Sequence, residues 1–341
     1  MGEYWVLRKT IIIVVALIMA LAGWTVVPVA AAGAGFTVTP QLPANQVGGN
    51  KGYFDLLVKP GTRQALTITV ANQSAQPKTL RVAITSAFTQ DNGQVGYTPS
   101  SKRDPSAVIQ LADLASAPVS VELKANEGRK VTFFVQIPAT PLKGQLLGSF
   151  YVTDETAPAA DDQSGMSITN RFAMVVAIQM QTTEETVAPH LNLLSVKPGN
   201  QNDQAAVLAT LQNDQPRLFG GMAIKASVTR DGDSKPLLTR NADQMAMAPN
   251  SSFNYALFTK APLVAGKYWL TLTATAGTYT WRFHRAFTID AKVAAKVNKG
   301  ARLAVVRPFP WWWVLIGGLL LIALGLLGLL FWRRKKDEGK K

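Results

Sequence analysis

Few side chains in this sequence are placed to make or break bonds. The two histidines, His190 and His284, stand far apart and there is no cysteine. None of the H-E-x-x-H, G-x-S-x-G or glycine-rich nucleotide-binding patterns occurs. Carboxylates do gather at Asp154-Glu155 and Asp161-Asp162. Oxygen ligands of that kind hold calcium, and a carboxylate pair can hydrolyse a glycoside. Pro158 and the alanines beside it nevertheless make a solvated hairpin the stronger reading of that stretch. Asp231-Gly232-Asp233 reads as a turn before it reads as a metal site. The expectation is a protein that is not an enzyme, with no catalytic residues, no metal site and no cofactor.

Contact chemistry is better represented. Tyr53 and Phe54 are consecutive, so in a strand they face opposite sides and only one enters the core. The other, with Asp55 one step further along, would stack on a sugar ring and accept its hydroxyls; plain packing is the competing account. Trp269 is exposed if Tyr268, Leu270 and Leu272 line the buried face, and an exposed tryptophan suits contact with a partner. Arg285 falls among Trp281, Phe283, Phe287 and Ile289, which share an apolar face. It must meet a carboxylate, sit in a gap at a sheet edge, or mark a recess where a ligand enters.

Strands must hold these residues. Gln64 to Asn72 alternates Leu66, Ile68 and Val70; Thr79 to Thr89 alternates Leu80, Val82 and Ile84; Arg129 to Pro138 alternates Val131, Phe133, Val135 and Ile137. Period two over such lengths predicts half-buried strands. Pro60-Gly61, Asn72-Gln73-Ser74, Asp91-Asn92-Gly93 and Asn126-Glu127-Gly128 supply the turns. Gln145 to Val152 and Ile168 to Gln181 complete a first set, with Asp154 to Gly165 as a long surface loop or extended hairpin. After a break at Glu184 to His190, strands are expected at Leu191 to Val196, Ala205 to Gln212, Met222 to Thr229, Ser252 to Thr259, Lys267 to Ala276 and Tyr279 to Ile289. Six or seven short strands in about 100 residues is the arithmetic of an immunoglobulin-like sandwich. The first set reads as a larger sandwich with longer loops, and no amphipathic helix is expected in either. The predicted fold class is all-β: two tandem immunoglobulin-like β-sandwich domains plus one C-terminal transmembrane helix.

The ends decide where those domains lie. Arg8-Lys9, the apolar stretch Ile11 to Ala22, and Ala30-Ala31-Ala32-Gly33-Ala34 read as a secretory signal peptide. At the other end Trp311-Trp312-Trp313 opens an uncharged apolar run closing at Phe331-Trp332 and followed by Arg333-Arg334-Lys335-Lys336. That run of about 22 residues spans roughly 33 Å as a helix, enough to cross a bilayer core. Cations flank both sides of the run, so the export signal decides the orientation, which puts the tail in the cytoplasm. Without cysteine the exported part depends on its core, and a Gram-positive envelope suits it better than a disulfide-stapled secreted protein. Between Gly35 and Glu184, Lys plus Arg number 12 and Asp plus Glu 11, a balance of +1; between Thr186 and Arg307 the counts are 15 and 6, a balance of +9. A field of that sign concentrates polyanions and is screened by salt. Outside a cell these are teichoic acids, anionic headgroups or sulfated glycans, and nucleic acid is not expected. Surface solubility is the plainer account of the same excess.

Asn45-Gln46, Gly52-Tyr53-Phe54-Asp55-Leu56, Pro60-Gly61, Gln64 and Asn72 resemble the opening of the peptidoglycan-binding domain of the WxL-interacting surface proteins of Gram-positive bacteria. Leu211-Gln212-Asn213, Ala248-Pro249-Asn250-Ser251, Leu263, Ala265-Gly266-Lys267-Tyr268 and Trp281-Arg282-Phe283 are similar to that family's host-binding domain. The resemblance covers nearly the whole chain. It implies a signal peptide over 1–34, a peptidoglycan-binding sandwich over 35–184, a partner-binding sandwich over 185–290, a basic stalk over 291–310, a membrane helix over 311–332 and a cytoplasmic tail over 333–341. Peptidoglycan would fall to Tyr53, Phe54 and Asp55, and the partner to Trp269 and Arg285. Implied partners are peptidoglycan, WxL-domain surface proteins, host extracellular matrix or anionic wall polymers, and the membrane itself. Gly148-Ser149-Phe150 stands where some relatives carry a paired glycine, and no long aromatic-rich insertion separates the domains, which leaves the partner open. The chain is thus expected to be a noncatalytic adaptor at the Gram-positive cell surface. The alternative is a direct adhesin or receptor for anionic polysaccharide that needs no WxL partner.

Overall fold

Alternating apolar residues become strands whose side chains converge on two separate cores. The computed structural model describes residues 33–156 and 172–303, with Ile316 and Leu319 beyond them. The first ten strands are β1 (Phe36–Gln41), β2 (Phe54–Leu57), β3 (Arg63–Asn72), β4 (Lys78–Ser86), β5 (Phe88–Thr89), β6 (Val95–Gly96), β7 (Val119–Leu123), β8 (Gly128–Gln136), β9 (Leu146–Asp154) and β10 (Ala173–Gln181). A single helical turn, α1 (Leu111–Leu114), precedes β7. Then come β11 (Asn192–Gln201), β12 (Gln204–Asn213), β13 (Phe219–Arg230), β14 (Pro236–Met247), β15 (Ser251–Phe258), β16 (Gly266–Ala276), β17 (Tyr279–Ile289) and the helix α2 (Ala291–Gly300).

One unit is a sandwich of a three-stranded sheet, β1-β3-β8, and a five-stranded sheet, β2-β10-β9-β4-β7. All its pairings are antiparallel except β2 with β10, where Phe54 lies opposite Ile178. Leu66, Ile68, Val70 and Phe133 of the smaller sheet meet Phe54, Leu80, Val82, Phe150 and Ile178 of the larger. Phe150 is the hub, its ring centroid 5.8 Å from Phe54 and 5.5 Å edge-on from Phe133. Such tilted and edge-to-face pairs add to the burial of their area.

The other unit joins β11-β12-β15 to β14-β13-β16-β17. Val207, Leu211, Phe253 and Tyr255 of one sheet pack on Met222, Ile224, Leu270 and Leu272 of the other. Asn202 and Asp203 form the two-residue β11–β12 turn with φ of 50° and 58°. Two left-handed residues in succession suit the twist of a tight hairpin, and Asn and Asp tolerate them best. Gly277 plays the same part between β16 and β17, with φ of 56°.

The all-β reading holds for the described residues, with differences in detail. Residues 88–96 and 103–108, which lie inside the range expected to form the first domain, belong to the second unit. Polar ties hold them there. Thr89 Oγ1 accepts from Ala248 N at 3.0 Å, Asp91 Oδ1 from Asn254 N at 2.9 Å and Asp104 Oδ1 from Gln212 Nε2 at 2.7 Å. Residues 291–300, expected as part of a stalk, form α2 instead. Ala294 joins the second core and Val297, at helical spacing from it, is also buried, while Lys292, Lys296 and Lys299 face outward. The strands β1, β7 and β14 have no counterpart among the expected ones; β14 lies at a sheet edge and its apolar residues do not alternate cleanly. The signal peptide, the expected anchor and tail, and Asp161-Asp162 lie outside the described residues, apart from residues 33, 34, 316 and 319. No helix among the described residues is long and apolar enough to cross a membrane.

Candidate binding surfaces

In the first unit the chain folds back on the edge strand β2 before entering it. Asn45 Nδ2 donates to Leu57 O at 2.9 Å and to Gln64 Oε1 at 3.0 Å, tying this loop to both β2 and β3. Gln46 clamps the next strand from both sides of its amide: Nε2 donates to Tyr53 O and Oε1 accepts from Asp55 N. Gly48, Gly49 and Gly52 all take positive φ in the bend between. A recess of about 610 Å³ opens beside this loop, lined by Asn45, Gln46, Val47, Lys59, Thr182 and Glu184 among others.

Tyr53, Phe54 and Asp55 divide differently from the expectation that two of them form a sugar platform. Phe54 is fully buried in the core, and only Tyr53 remains half-exposed. Asp55 is 5% exposed, and both its oxygens are engaged, Oδ2 by Lys51 Nζ at 2.7 Å and Oδ1 by Gln179 Nε2 at 3.0 Å. The carboxylate in turn holds the Lys51 ammonium above its usual pKa. With so little of it exposed, Asp55 braces the β2 edge against Lys51 and Gln179. Asn72 also braces: its Nδ2 donates to Gln76 O and Lys124 O, and its Oδ1 accepts from Ser74.

In the second unit Tyr268, Leu270 and Leu272 are buried and Trp269 points out of the four-stranded sheet. Its indole stacks on His284 with centroids 4.6 Å apart and planes 7° from parallel. Its Nε1 donates to Asp231 Oδ1 at 2.9 Å, which gives the Asp231-Gly232-Asp233 turn a positioning task. Sequence reading missed the His284 partner. The tight turn at Gly277 could have revealed it: counting back from Ala276 opposite Tyr279 places Thr271 opposite His284, diagonal to Trp269. Arg285 is exposed, and none of the ion pairs among the described residues involves it. Its Nη1 donates to Leu193 O at 2.8 Å and Leu194 O at 2.9 Å, so it closes the sandwich edge between β17 and β11.

The other motif residues of this unit also serve its architecture. Asn213 Nδ2 donates to Arg217 O and Ala248 O, and Asn250 Nδ2 to Ser106 O and Asp214 O. His190 Nδ1 lies 2.9 Å from Asp214 Oδ1, far in sequence from the His284 pair. Burial alone pushes the carboxyls of Asp104, Asp154 and Asp214 up, but their hydrogen bonds outweigh it and hold all three below the usual range. Burial pushes the Tyr255 phenol up to about 12. Asp154 bonds Lys78 and Thr156, and Glu155 Oε2 accepts from Ser120. Among the described residues no group of three or more acidic, histidine or cysteine side chains could hold a metal ion.

These surfaces define a tandem β-sandwich protein whose distinctive polar residues brace loops and present aromatic faces. Residues 36–154 match the family described as WxL Interacting Protein, peptidoglycan binding domain, and residues 163–299 match WxL Interacting Protein, host binding domain. The chain belongs to the WxL-interacting protein family. The second match begins before β10, a strand that completes the five-stranded sheet of the first unit. No curated protein matches the chain by sequence. A structure of a chaperone–tip adhesin complex of CFA/I fimbriae is similar at 10% identity and TM-score 0.31, over 74% of this chain and 97% of that one. The E. coli chaperone DraB gives 12% identity and TM-score 0.28 over 75% and 95%. A Salmonella enterica SafA pilin–SafB chaperone complex gives 12% and 0.28 over 76% and 99%.

Proposed function

We propose that this protein is a noncatalytic adaptor at the surface of a Gram-positive cell, exported by its N-terminal segment and held by a single C-terminal membrane helix. The first unit binds peptidoglycan, and the second binds WxL-domain proteins or host matrix components. The carrying observation is the succession of the two family domains along one chain. The export-type N-terminus and the tryptophan-bordered apolar run support the location. Within the first unit the wall contact is assigned to Tyr53 and the recess beside Asn45, since Phe54 and Asp55 are committed to the core and to Lys51. In the second, Trp269 offers the accessible aromatic surface.

Two measurements test this. The full-length protein in detergent should co-sediment with purified peptidoglycan, and Tyr53→Ala should weaken that binding without lowering the unfolding midpoint. A membrane-impermeant amine label should reach the lysines of both units on intact cells. A protein that stays in the supernatant, or that is labelled only after lysis, removes the reading.

A further inference from the structure

The outer face of the four-stranded sheet is cationic and hydroxyl-rich. Lys225, Thr273 and Arg282 form one cross-strand row, and Ser227, Thr271 and His284 the next. In the following row Trp269 stands beside Ala286 and Thr229. The small Ala286 leaves a recess of about 360 Å³ against the indole, bordered by Lys267, Thr288 and the Asp231 carboxylate, which is engaged by the indole Nε1. The indole is pinned before any ligand arrives, by His284 across one face and by Asp231 at Nε1. None of the ion pairs among the described residues involves Lys225, Lys267 or Arg282.

We propose that this face is a binding site for an anionic glycan, with a sugar ring seated in the recess against Trp269 and the polymer's phosphodiesters running over Lys267, Lys225 and Arg282. The aromatic wall accounts for the ring. The unpaired cations account for the charge, and the threonine and serine hydroxyls suit a polyol backbone. From Lys267 to Thr273 along β16 is about 20 Å at strand rise, so the face spans several repeat units of such a polymer. An aromatic already stacked and hydrogen-bonded, beside a preformed recess, keeps the ordering cost of binding low. The choice of a wall phosphopolymer as the source rests on the adaptor reading; the site itself does not.

The probe is poly(glycerol phosphate) bearing glucosyl substituents, offered to the full-length protein in detergent beside the sugar-free polymer, a neutral glucan and heparin. The glucosylated polymer should bind most tightly and weaken steeply from about 50 to 300 mM salt. Trp269→Ala should reduce affinity about ten-fold, as loss of an anchoring aromatic does. Ala286→Tyr, which fills the recess from an exposed position, should do the same if the indole variant folds poorly. The double variant K225Q/R282Q should bind more weakly with a shallower salt dependence. Unchanged binding in both Trp269→Ala and Ala286→Tyr, or equal binding of the neutral glucan, overturns the site; tighter binding of heparin overturns the wall-polymer source. Peptidoglycan co-sedimentation is read in parallel. Its failure with polymer binding intact removes the adaptor reading and leaves this site standing.

Discussion

Gly148 in β9 stands where no side chain fits. A Cβ there would lie 2.1 Å from Thr85 O and 2.6 Å from the Leu111 side chain, and the carbonyl cannot move without breaking the β4–β9 ladder. Gly148→Ala is expected to cost at least about 1–3 kcal/mol, the usual range for overpacking, seen as a lower urea midpoint. Its neighbour Ser149 is fully buried and pairs with Thr85 at 2.9 Å, so this polar pair sits in the sheet beside the gap. Titration gives a second expectation at this scale. Asp104, Asp154 and Asp214 have folded pKa values held below their unfolded ones, so their contribution is present above about pH 4 and lost as pH falls through the folded values. Urea stability should therefore fall between about pH 4 and pH 2. Asp154→Asn should flatten that fall and Tyr53→Ala should not.

At the scale of elements, α2 shows how a helix unseen in the pattern is held. Asn298 is 2% exposed, and its side chain pairs with one backbone residue twice: Nδ2 donates to Leu263 O at 2.9 Å and Oδ1 accepts from Leu263 N at 2.8 Å. Asn200 Nδ2 adds a bond to Val297 O. Asn298→Ala strands two backbone groups at once and should cost about 1–3 kcal/mol. Hydrogen exchange should localise the loss to residues 291–303 and the loop around Leu263, with the β12–β15 ladder unchanged. Ten residues are too few for a helix to persist alone, so its packing decides its existence. That is why a basic stalk and a docked helix read alike in sequence. The strand β14 was equally hard to foresee. Gln244 within it has φ of 55°, and its register against β13 shifts repeatedly, so no clean period of two survives.

Taken whole, the chain does not fold into units that follow its sequence order. The second unit draws residues 88–96 and 103–108 from before β7. A fragment of residues 186–303 lacks the acceptors of Ala248 N, Gln212 Nε2 and Asn254 N and the Ser106 acceptor of Asn250 Nδ2. At about 1 kcal/mol for each tie the fragment should be roughly 2–5 kcal/mol less stable than the same unit in the full chain. The measurement is hydrogen exchange at Ala248 and Asn254, which should quicken in the fragment; equal protection would mean these ties contribute nothing.

Alternation in β3, β4, β8 and β16 is legible because one buried and one solvated face impose a period of two on any sequence that forms them. The same phase already put Trp269 outside and Tyr268 inside. Composition likewise fixes the excess of cations toward the C-terminal half. What the linear pattern could not contain were relations between distant residues. Asp55 looks like an acceptor until Lys51 and Gln179 occupy it, Arg285 looks like a misplaced charge until the carbonyls of Leu193 and Leu194 meet it, and Thr89 belongs to Ser251, 162 residues further along the chain. A strand's face follows from its neighbours along the chain, whereas a hydrogen-bond partner follows from which strands lie side by side, and only the packed structure decides that.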